Sequence, residues 1–317
     1  MKLRVVQSII CIAVGSLSLF FLLYGSSLDF EYVIPNRAIR LSAMFLAGVS
    51  IAVASILFQT VSNNRILTPS VMGYEGIYVI FQTLLLLVLG TASSVMVDMQ
   101  TNFLLSILVL LLYSFALQRW LFSGGKQNIY FLLLVGLVLT VILRSFSQLL
   151  EYSINPGEFS VLQSFSLTSF NRAQPDQLWI AFLLVTGVSG CIWRYRKVLD
   201  VLLLGREQAI SLGINYHSVV RLQLGLIAIL VAVSTSLVGP TAFMGVFVAN
   251  IAYACARHAN HQAVLLTGAG IAISVMVCAQ ILVEHLFNYK TSAGLLINLF
   301  CGLYFFILLV RPGRIAC

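Results

Sequence analysis

Apolar residues run through the chain in blocks of about twenty, separated by short polar breaks. A bilayer-spanning helix needs about 20 apolar residues, and the blocks lack the alternating pattern of membrane β-strands. The pattern therefore predicts an all-α polytopic membrane protein with about ten transmembrane helices. The predicted spans are residues 6–24, 38–59, 71–90, 101–118, 129–150, 177–193, 219–238, 242–256, 262–283 and 292–310.

Two of these spans allow a second interpretation. The first could be a cleavable signal peptide, but no convincing small-residue cleavage site follows Tyr24, so we expect a retained helix. The eighth is short and follows the seventh with almost no loop, which also permits one bent hairpin. We expect one transmembrane domain over residues 1–317.

The balance of charge supports a membrane protein and predicts its orientation. Of all residues, 60% are hydrophobic and only 9% are charged, which leaves too few charges for a soluble surface. With an inner N-terminus, thirteen of the 18 basic residues fall on the cytoplasmic side, as short cytoplasmic loops require. We therefore expect cytoplasmic termini, a place in the bacterial cytoplasmic (inner) membrane, and outer loops around Asp98 and Glu158. The basic residues are scattered over six cytoplasmic segments and do not form one basic patch. They therefore indicate membrane topology and not a nucleic-acid partner.

The motifs of several function classes are absent from the sequence. No GxxxxGK[ST] phosphate loop occurs; Gly124-Gly125-Lys126 lacks the first glycine and the hydroxyl residue. No HExxH or GxSxG pattern indicates an intramembrane enzyme. Most carboxylates fall in predicted loops, with Glu75, near the inner end of the third span, as the notable exception, whereas an ion-coupled carrier would place several in mid-membrane. A permease driven by another subunit fits best; a non-transporting membrane component or an ion-coupled secondary carrier is the alternative.

A few polar and small residues inside the spans are open to more than one interpretation. Arg144, one to two turns from the outer end of the fifth span, could either snorkel or line a cavity for an anionic substrate. Clustered Gly and Ala residues at 47–54 and 268–272 predict close helix packing. The cysteines are expected to pack as small apolar residues. His258 and His261 are better explained as solvated loop residues than as a metal pair.

The longest predicted cytoplasmic connection, residues 194–221, contains a short amphipathic segment. Residues 207–212 can form a turn or two of helix, which Gly213 would end. Such a helix could be the lever on which a soluble motor acts, or it could lie on lipid headgroups.

Four stretches of the sequence resemble one transporter family. LLLGREQAISLGIN, residues 202–215, is similar to the cytoplasmic coupling signature of FecCD-type ABC-transporter permeases, which import iron-siderophore chelates and vitamin B12. The others, in chain order, are Arg37, Arg40, Gly48, Gln59, Asn64, Pro69 and Gly73; then Gly239, Pro240, Phe243, Gly245, Asn260, His261, Gly268 and Ala269; then Gly302, Tyr304, Phe305 and residues 308–311. The stretches 73–83 and 248–253 look most like the catecholate-siderophore branch.

The resemblance implies partners and a division of labour. Two ten-helix permease subunits would surround the pathway, two cytoplasmic ATPase subunits would drive it, and a periplasmic binding protein would deliver a ferric chelate. ATP and Mg would be bound by the ATPase subunits, and this chain, a transport subunit and no enzyme, would bind no cofactor or metal. Departures from the family pattern at Ile39, Arg65 and Asn250 favour a heterodimer of two different permeases.

The resemblance and the intramembrane charges suggest roles for individual residues. Coupling to the ATPase is expected at 205–213, with glycines bending the backbone at both ends, Ala209 and Leu212 inserting into a groove, and Glu207 at the helix start. These coupling residues are Gly205, Glu207, Ala209, Leu212 and Gly213. Candidate lining residues of the translocation pathway are Arg40, Gln59, Glu75, Arg144, Gly239, Pro240 and Asn250. Candidate docking residues for the binding protein, on the longest outer connection, are Glu151, Glu158 and Asp176.

Overall fold

The computed structural model describes residues 3–25, 29–90, 98–122, 129–256 and 260–310. All regular secondary structure within these residues is helical. The twelve described α-helices are α1 Leu3–Leu23, α2 Val33–Ser62, α3 Tyr74–Leu89, α4 Met99–Phe122, α5 Ile129–Glu151, α6 Pro156–Ser166, α7 Pro175–Leu202, α8 Arg206–Ser211, α9 Tyr216–Val238, α10 Met244–Cys255, α11 His261–His285 and α12 Ala293–Val310, and a 3₁₀ helix, Pro69–Met72, precedes α3.

Each of the ten predicted spans coincides with a helix, which confirms the all-α membrane class. In the described part of the chain, seven helices are long and apolar enough to cross a bilayer, and three apolar helices are shorter. The seventh and eighth spans form separate helices, α9 and α10, joined by residues 239–243. The short helix α8 was predicted from the sequence; α6, within the outer connection, was not.

Helix α2 lies at the centre of the bundle and packs most closely on α9 and α11. Small residues make the contact with α11 tight: a Cβ at Gly48 would lie 3.0 Å from Ile273, and one at Gly268 would lie 2.6 Å from Ile56. Lipid is as apolar as leucine, so close van der Waals packing must hold such helices together. The predicted packing role of the Gly and Ala clusters is confirmed.

Contacts between helix ends show which ends share a side of the bundle. Arg37 near the start of α2 pairs with Glu284 at the end of α11. At the opposite ends of these helices, Thr60 of α2 contacts His261 of α11. The relative directions agree with the predicted alternation of spans. The absolute orientation stays a prediction, because contacts within the chain relate the helix ends to one another and not to the two sides of a membrane.

The third helix begins within the depth of the bundle, well away from its inner edge. Glu75, in the first turn of α3, lies 3.7 Å from the Arg144 guanidinium on α5. Arg144 is about 22 Å along α5 from Ile129, since a helix rises about 1.5 Å per residue. Glu75 thus lies at the inner end of the helix that forms the third span, as predicted, but this helix begins deeper in the bundle than the sequence indicates. Residues 63–68 and the 3₁₀ helix connect the inner end of α2 to the start of α3.

Candidate coupling and translocation sites

Glycines bend the backbone at both ends of α8, the candidate coupling helix. Gly205 has φ +98° and Gly213 has φ +83°, a region that residues with a Cβ rarely adopt. Glu207 lies exposed in the first turn, where its charge suits the helix dipole. The local geometry at Gly205, Glu207 and Gly213 is as the sequence predicts; a contact with an ATPase subunit stays a prediction.

The side chains of Ala209 and Leu212 point to different environments. Ala209 is fully buried within the chain itself, where α8 packs on α7 and α9. Leu212 is 62% exposed, and its neighbour Ile210 is 48% exposed. The expectation that Ala209 and Leu212 insert together into a partner's groove is therefore corrected. Ala209 anchors α8 to the bundle, and Leu212 and Ile210 form the apolar surface available to a partner.

A buried cluster of charges joins the ends of α1, α2 and α11 on the predicted outer side. Glu284 binds Arg40 at 2.7 Å and Arg37 at 3.3 Å. Arg40 also donates to Tyr289 at 3.2 Å and to Asn171 at 3.4 Å. Burial raises the pKa of the Tyr289 phenol, so Tyr289 remains neutral and leaves the compensation of charge to Glu284. Arg40 is thus tied into a structural cluster near the helix ends.

Glu284 is a buried carboxylate that the sequence-based reasoning placed just beyond its span, among the acids of predicted loops. Its side chain is only 3% exposed, and it lies within α11. Gln280, four residues earlier, donates to it at 3.0 Å. Residues four apart on a helix are neighbours, so Gln280 and Glu284 can form this hydrogen bond only if the helix continues to Glu284. This spacing is the sequence signal that would have extended the predicted helix.

A second charged group lies deeper in the bundle, around Glu75. This carboxylate is buried and accepts a hydrogen bond from Ser70 at 2.9 Å, and the backbone N–H of Thr241 lies near it. Arg144, at 3.7 Å, is its counter-ion, yet the Arg144 side chain is 62% exposed. The structure thus brings together two candidate lining residues from spans that are distant in sequence.

Gly239 and Pro240 form the break between α9 and α10 beside this group. Gly239 has φ +93°, and a Cβ there would lie 2.9 Å from the Leu167 carbonyl oxygen and 3.1 Å from Nη2 of Arg172. The carbonyl of Pro240 accepts a hydrogen bond from the Thr168 hydroxyl. Because α10 has only 12 residues, about 18 Å, it cannot cross a bilayer of about 30 Å alone. Residues 239–243 therefore lead from the outer end of α9 to a start of α10 that lies at membrane depth.

Gln59 and Asn250, the last two candidate lining residues, meet at the predicted inner end. The amide of Gln59 donates to the Arg65 carbonyl at 2.8 Å, and the amide of Asn250 donates to the same oxygen at 3.0 Å. Gln59 is 2% exposed. The seven candidates therefore fall into three groups: Arg40 outside, Glu75 with Arg144, Gly239 and Pro240 at depth, and Gln59 with Asn250 inside.

His261 begins α11 and is buried, which corrects its interpretation as a solvated loop residue. Its Nε2 lies 3.3 Å from the Thr60 hydroxyl, and its backbone N–H donates to Asp200 at 2.8 Å. His261 thus helps to close the inner end of the bundle between α2, α7 and α11. The suggested partner for a metal pair, His258, lies outside the described residues.

The three candidate docking acids lie at helix ends on the predicted outer side. Glu151 ends α5 and accepts from Ser147 at 3.2 Å. Glu158 lies in the first turn of α6, and Asp176 lies exposed in the first turn of α7. Acids in first turns are favourable to the helix dipole, which explains Glu158 and Asp176 without a partner. Their docking role stays a prediction.

The sequence as a whole places the chain among known proteins. Residues 5–311 match the FecCD transport family. The chain belongs to this family. This FecCD permease is 38% identical over 316 residues to the petrobactin import system permease protein YclO of Bacillus subtilis, covering 99% of this chain and 98% of that protein. It is 25% identical to YclN, a second petrobactin import system permease protein of the same organism, over 95% of this chain and 93% of YclN.

A solved structure confirms the fold of this FecCD permease. A metal-chelate type ABC transporter in an inward-facing conformation superposes with a TM-score of 0.83 and 17% identity, covering 98% of this chain and 100% of the other. The predicted family and polytopic fold are confirmed. The chain is thus a membrane transport component of the ABC-importer permease class rather than an enzyme.

Proposed function

We propose that this chain is one of two different permease subunits that carry a ferric siderophore of the petrobactin type across the bacterial cytoplasmic membrane. The observation that carries the proposal is the 38% identity to a petrobactin import permease along almost the whole length of both chains. Two ATPase subunits at the inner face, holding ATP and Mg, would drive the cycle, and a binding protein at the outer face would deliver the chelate.

The heterodimer is supported by the relatives themselves. Bacillus subtilis has two petrobactin import system permease proteins, and this chain is 38% identical to YclO but only 25% identical to YclN. Two such permease proteins in one organism favour a transporter built from two different permease chains. The second permease would then be a separate chain more similar to YclN.

Uptake by living cells tests the substrate and the energy source together. In the source organism without this gene, we expect loss of uptake of radiolabelled iron presented as ferric petrobactin, and recovery from a plasmid copy. Uptake of a ferric hydroxamate serves as the control and should persist. Unchanged petrobactin uptake would exclude the proposed substrate. Recovered uptake that survives ATP depletion but stops with loss of the proton gradient would favour a secondary carrier.

The pathway is proposed to pass the group around Glu75 and Arg144. Irregular backbone at membrane depth persists only where protein buries it or water lines it, and the segments 63–73 and 239–243 meet at the Glu75–Thr241 contact. An arginine that faces lipid costs about 2.5–3.5 kcal/mol or more at the centre of a span and less towards its ends, where Arg144 lies. Arg144 is 62% exposed on the chain alone, so we infer that this surface of α5 faces the second permease and a polar pathway.

Neutralising Arg144 tests this pathway. For Arg144→Gln we expect uptake of an anionic ferric chelate to fall about tenfold, because a positive charge in a low-dielectric pathway concentrates anions. Thermal unfolding is measured beside uptake, because the variant leaves the buried Glu75 carboxylate without its counter-ion. Arg119→Gln, an exposed arginine in the last turn of α4, is the matched control and should keep normal uptake. Normal uptake by Arg144→Gln would remove Arg144 from the pathway.

A further inference from the structure

A small cavity lies on the predicted outer side, between the starts of α4 and α7 and the end of α9. Its volume is about 10 Å³. Its lining includes Met99, Asn102, Phe165, Arg172, Gln177 and Ser236. A cavity of this size has room for one small occupant, such as a water molecule or a monatomic ion. No Asp or Glu is among its described lining residues.

All three unpaired polar atoms at this cavity can donate a hydrogen bond, and one of them, the Ser236 hydroxyl, can also accept. Nε and Nη2 of Arg172 and the hydroxyl oxygen of Ser236 are buried and without a hydrogen-bond partner in the described part of the chain. The ring of Phe165 covers the guanidinium at 4.8 Å. Arg172 as a whole is half-buried, but these two guanidinium nitrogens are fully buried, and no carboxylate among the described lining residues compensates their charge. An occupant that accepts hydrogen bonds and carries negative charge would satisfy them.

The amide and carbonyl acceptors around the cavity each already accept at least one hydrogen bond. Oδ1 of Asn102 accepts from Gln82 at 2.9 Å, and Oε1 of Gln177 accepts from the backbone of Gln174 at 3.3 Å. The carbonyl of Met99 accepts from the amide of Gln177. The unpaired Ser236 hydroxyl can also accept, so a water molecule would find an acceptor there. A neutral water molecule would nevertheless leave the Arg172 charge without a counter-ion, whereas a halide ion accepts several hydrogen bonds and supplies the negative charge.

Two helix N-termini add to the positive potential. Gln177 is in the first turn of α7, and Asn102 follows the start of α4 at Met99. The N-terminus of a helix carries about half a positive elementary charge, which favours an anion nearby. From the unpaired donors, the engaged acceptors and these dipoles, we propose that the cavity binds a chloride ion, held by Arg172 and Ser236.

The ion would join three segments of the outer half of the bundle. Arg172 lies in the connection between α6 and α7, and its Nη2 approaches position 239, where a Cβ would lie only 3.1 Å away. Chloride at Arg172 and Ser236 would therefore fasten this connection to the end of α9, immediately before the break at residues 239–243. Its expected effect is on stability, independent of the transported substrate.

Chloride-dependent stability is the first test. The full-length chain is purified in detergent, and its thermal unfolding is measured as chloride replaces gluconate at constant ionic strength. We expect chloride to raise the midpoint by about 2–4 °C, because a ligand that binds only the folded state stabilises it. Arg172→Gln and Ser236→Ala should each reduce this shift to less than half. An equal midpoint of the unaltered chain in both anions would overturn the proposal.

A matched arginine separates anion binding from the loss of a cation–π contact. Arg196 lies 5.0 Å from the ring of Trp193, much as Arg172 lies over Phe165, but it does not line the cavity. Arg196→Gln should keep the full chloride shift. A chloride shift that persists in Arg172→Gln would show a general salt effect and would also overturn the site.

Bromide gives a direct test on the unaltered chain, independent of how the variants fold. Crystals grown with bromide should show an anomalous peak within about 3.5 Å of the Arg172 guanidinium nitrogens, a hydrogen-bonding distance for a large anion. Absence of the peak, or density that refines as water alone, would refute chloride binding at this cavity.

Discussion

Replacing Leu212 with aspartate is expected to abolish ATPase binding and transport together while leaving the thermal stability of the chain unchanged. Leu212 is 62% exposed at the end of α8, next to Ile210 on a helix bent by glycine at both ends. If α8 is the contact for the ATPase, as proposed, a charge at an apolar centre of the interface weakens binding by about 2 kcal/mol or more, roughly thirtyfold. Co-purification of the ATPase, together with uptake, measures the effect.

Two further variants make this test specific. Leu212→Met keeps the apolar contact and should keep both binding and transport. Ala209→Asp places a charge at a fully buried position, so it should lower stability and detach α8 from the bundle. Ala209→Asp is therefore expected to lose transport through local unfolding, with increased protease cleavage near residue 209. Full transport and normal ATPase recovery with Leu212→Asp would instead indicate a helix that lies on lipid headgroups.

Replacing Glu284 with alanine is expected to destabilise the chain more than any exposed substitution. Glu284 compensates Arg37, which is 6% exposed and otherwise bonded to the Phe21 and Tyr24 carbonyls. Removing one partner of a buried ion pair costs about 3–5 kcal/mol, because the other charge stays buried. We expect the midpoint of thermal unfolding in detergent to fall by about 10 °C.

Two control variants test whether the lower unfolding midpoint comes from the lost ion pair. Glu284→Gln keeps the shape and one hydrogen-bond acceptor, so the decrease should be smaller than for alanine. Glu31→Ala, an exposed acid in the connection before α2, should leave the midpoint unchanged. A midpoint for Glu284→Ala within about 2 °C of the unaltered chain would show that the cluster contributes little to stability.

The hydropathy pattern predicted the helices well because the cost of burying polar backbone in lipid acts on each segment separately. Helix α6 was missed for the same reason: Pro156–Ser166 mixes polar and apolar residues and is too short to span. Its start at Pro156, after an asparagine with extended backbone, is a local helix signal that hydropathy does not register.

Contacts between distant residues explain the remaining errors. Glu75 starts its helix as the sequence predicts, but the depth at which this helix begins depends on α5, which holds Arg144 beside it. His261 was expected in solvent because it precedes an apolar block, yet α2 and α7 cover it. Neither neighbour can be identified from the residues next to Glu75 or His261 in the sequence.

The sequence by itself determined the properties that depend on residues close together along the chain: the membrane class, the ten apolar helices, the glycine bends around α8, and membership of the family. The tertiary structure alone decided which charges meet, that Ala209 is buried while Leu212 is exposed, and that Arg172 lines a cavity with no carboxylate among its described lining residues. The physical reason is the distance along the chain over which each effect acts. Hydropathy and backbone preference act within a helix, whereas ion pairing and burial depend on helices brought together from distant parts of the chain.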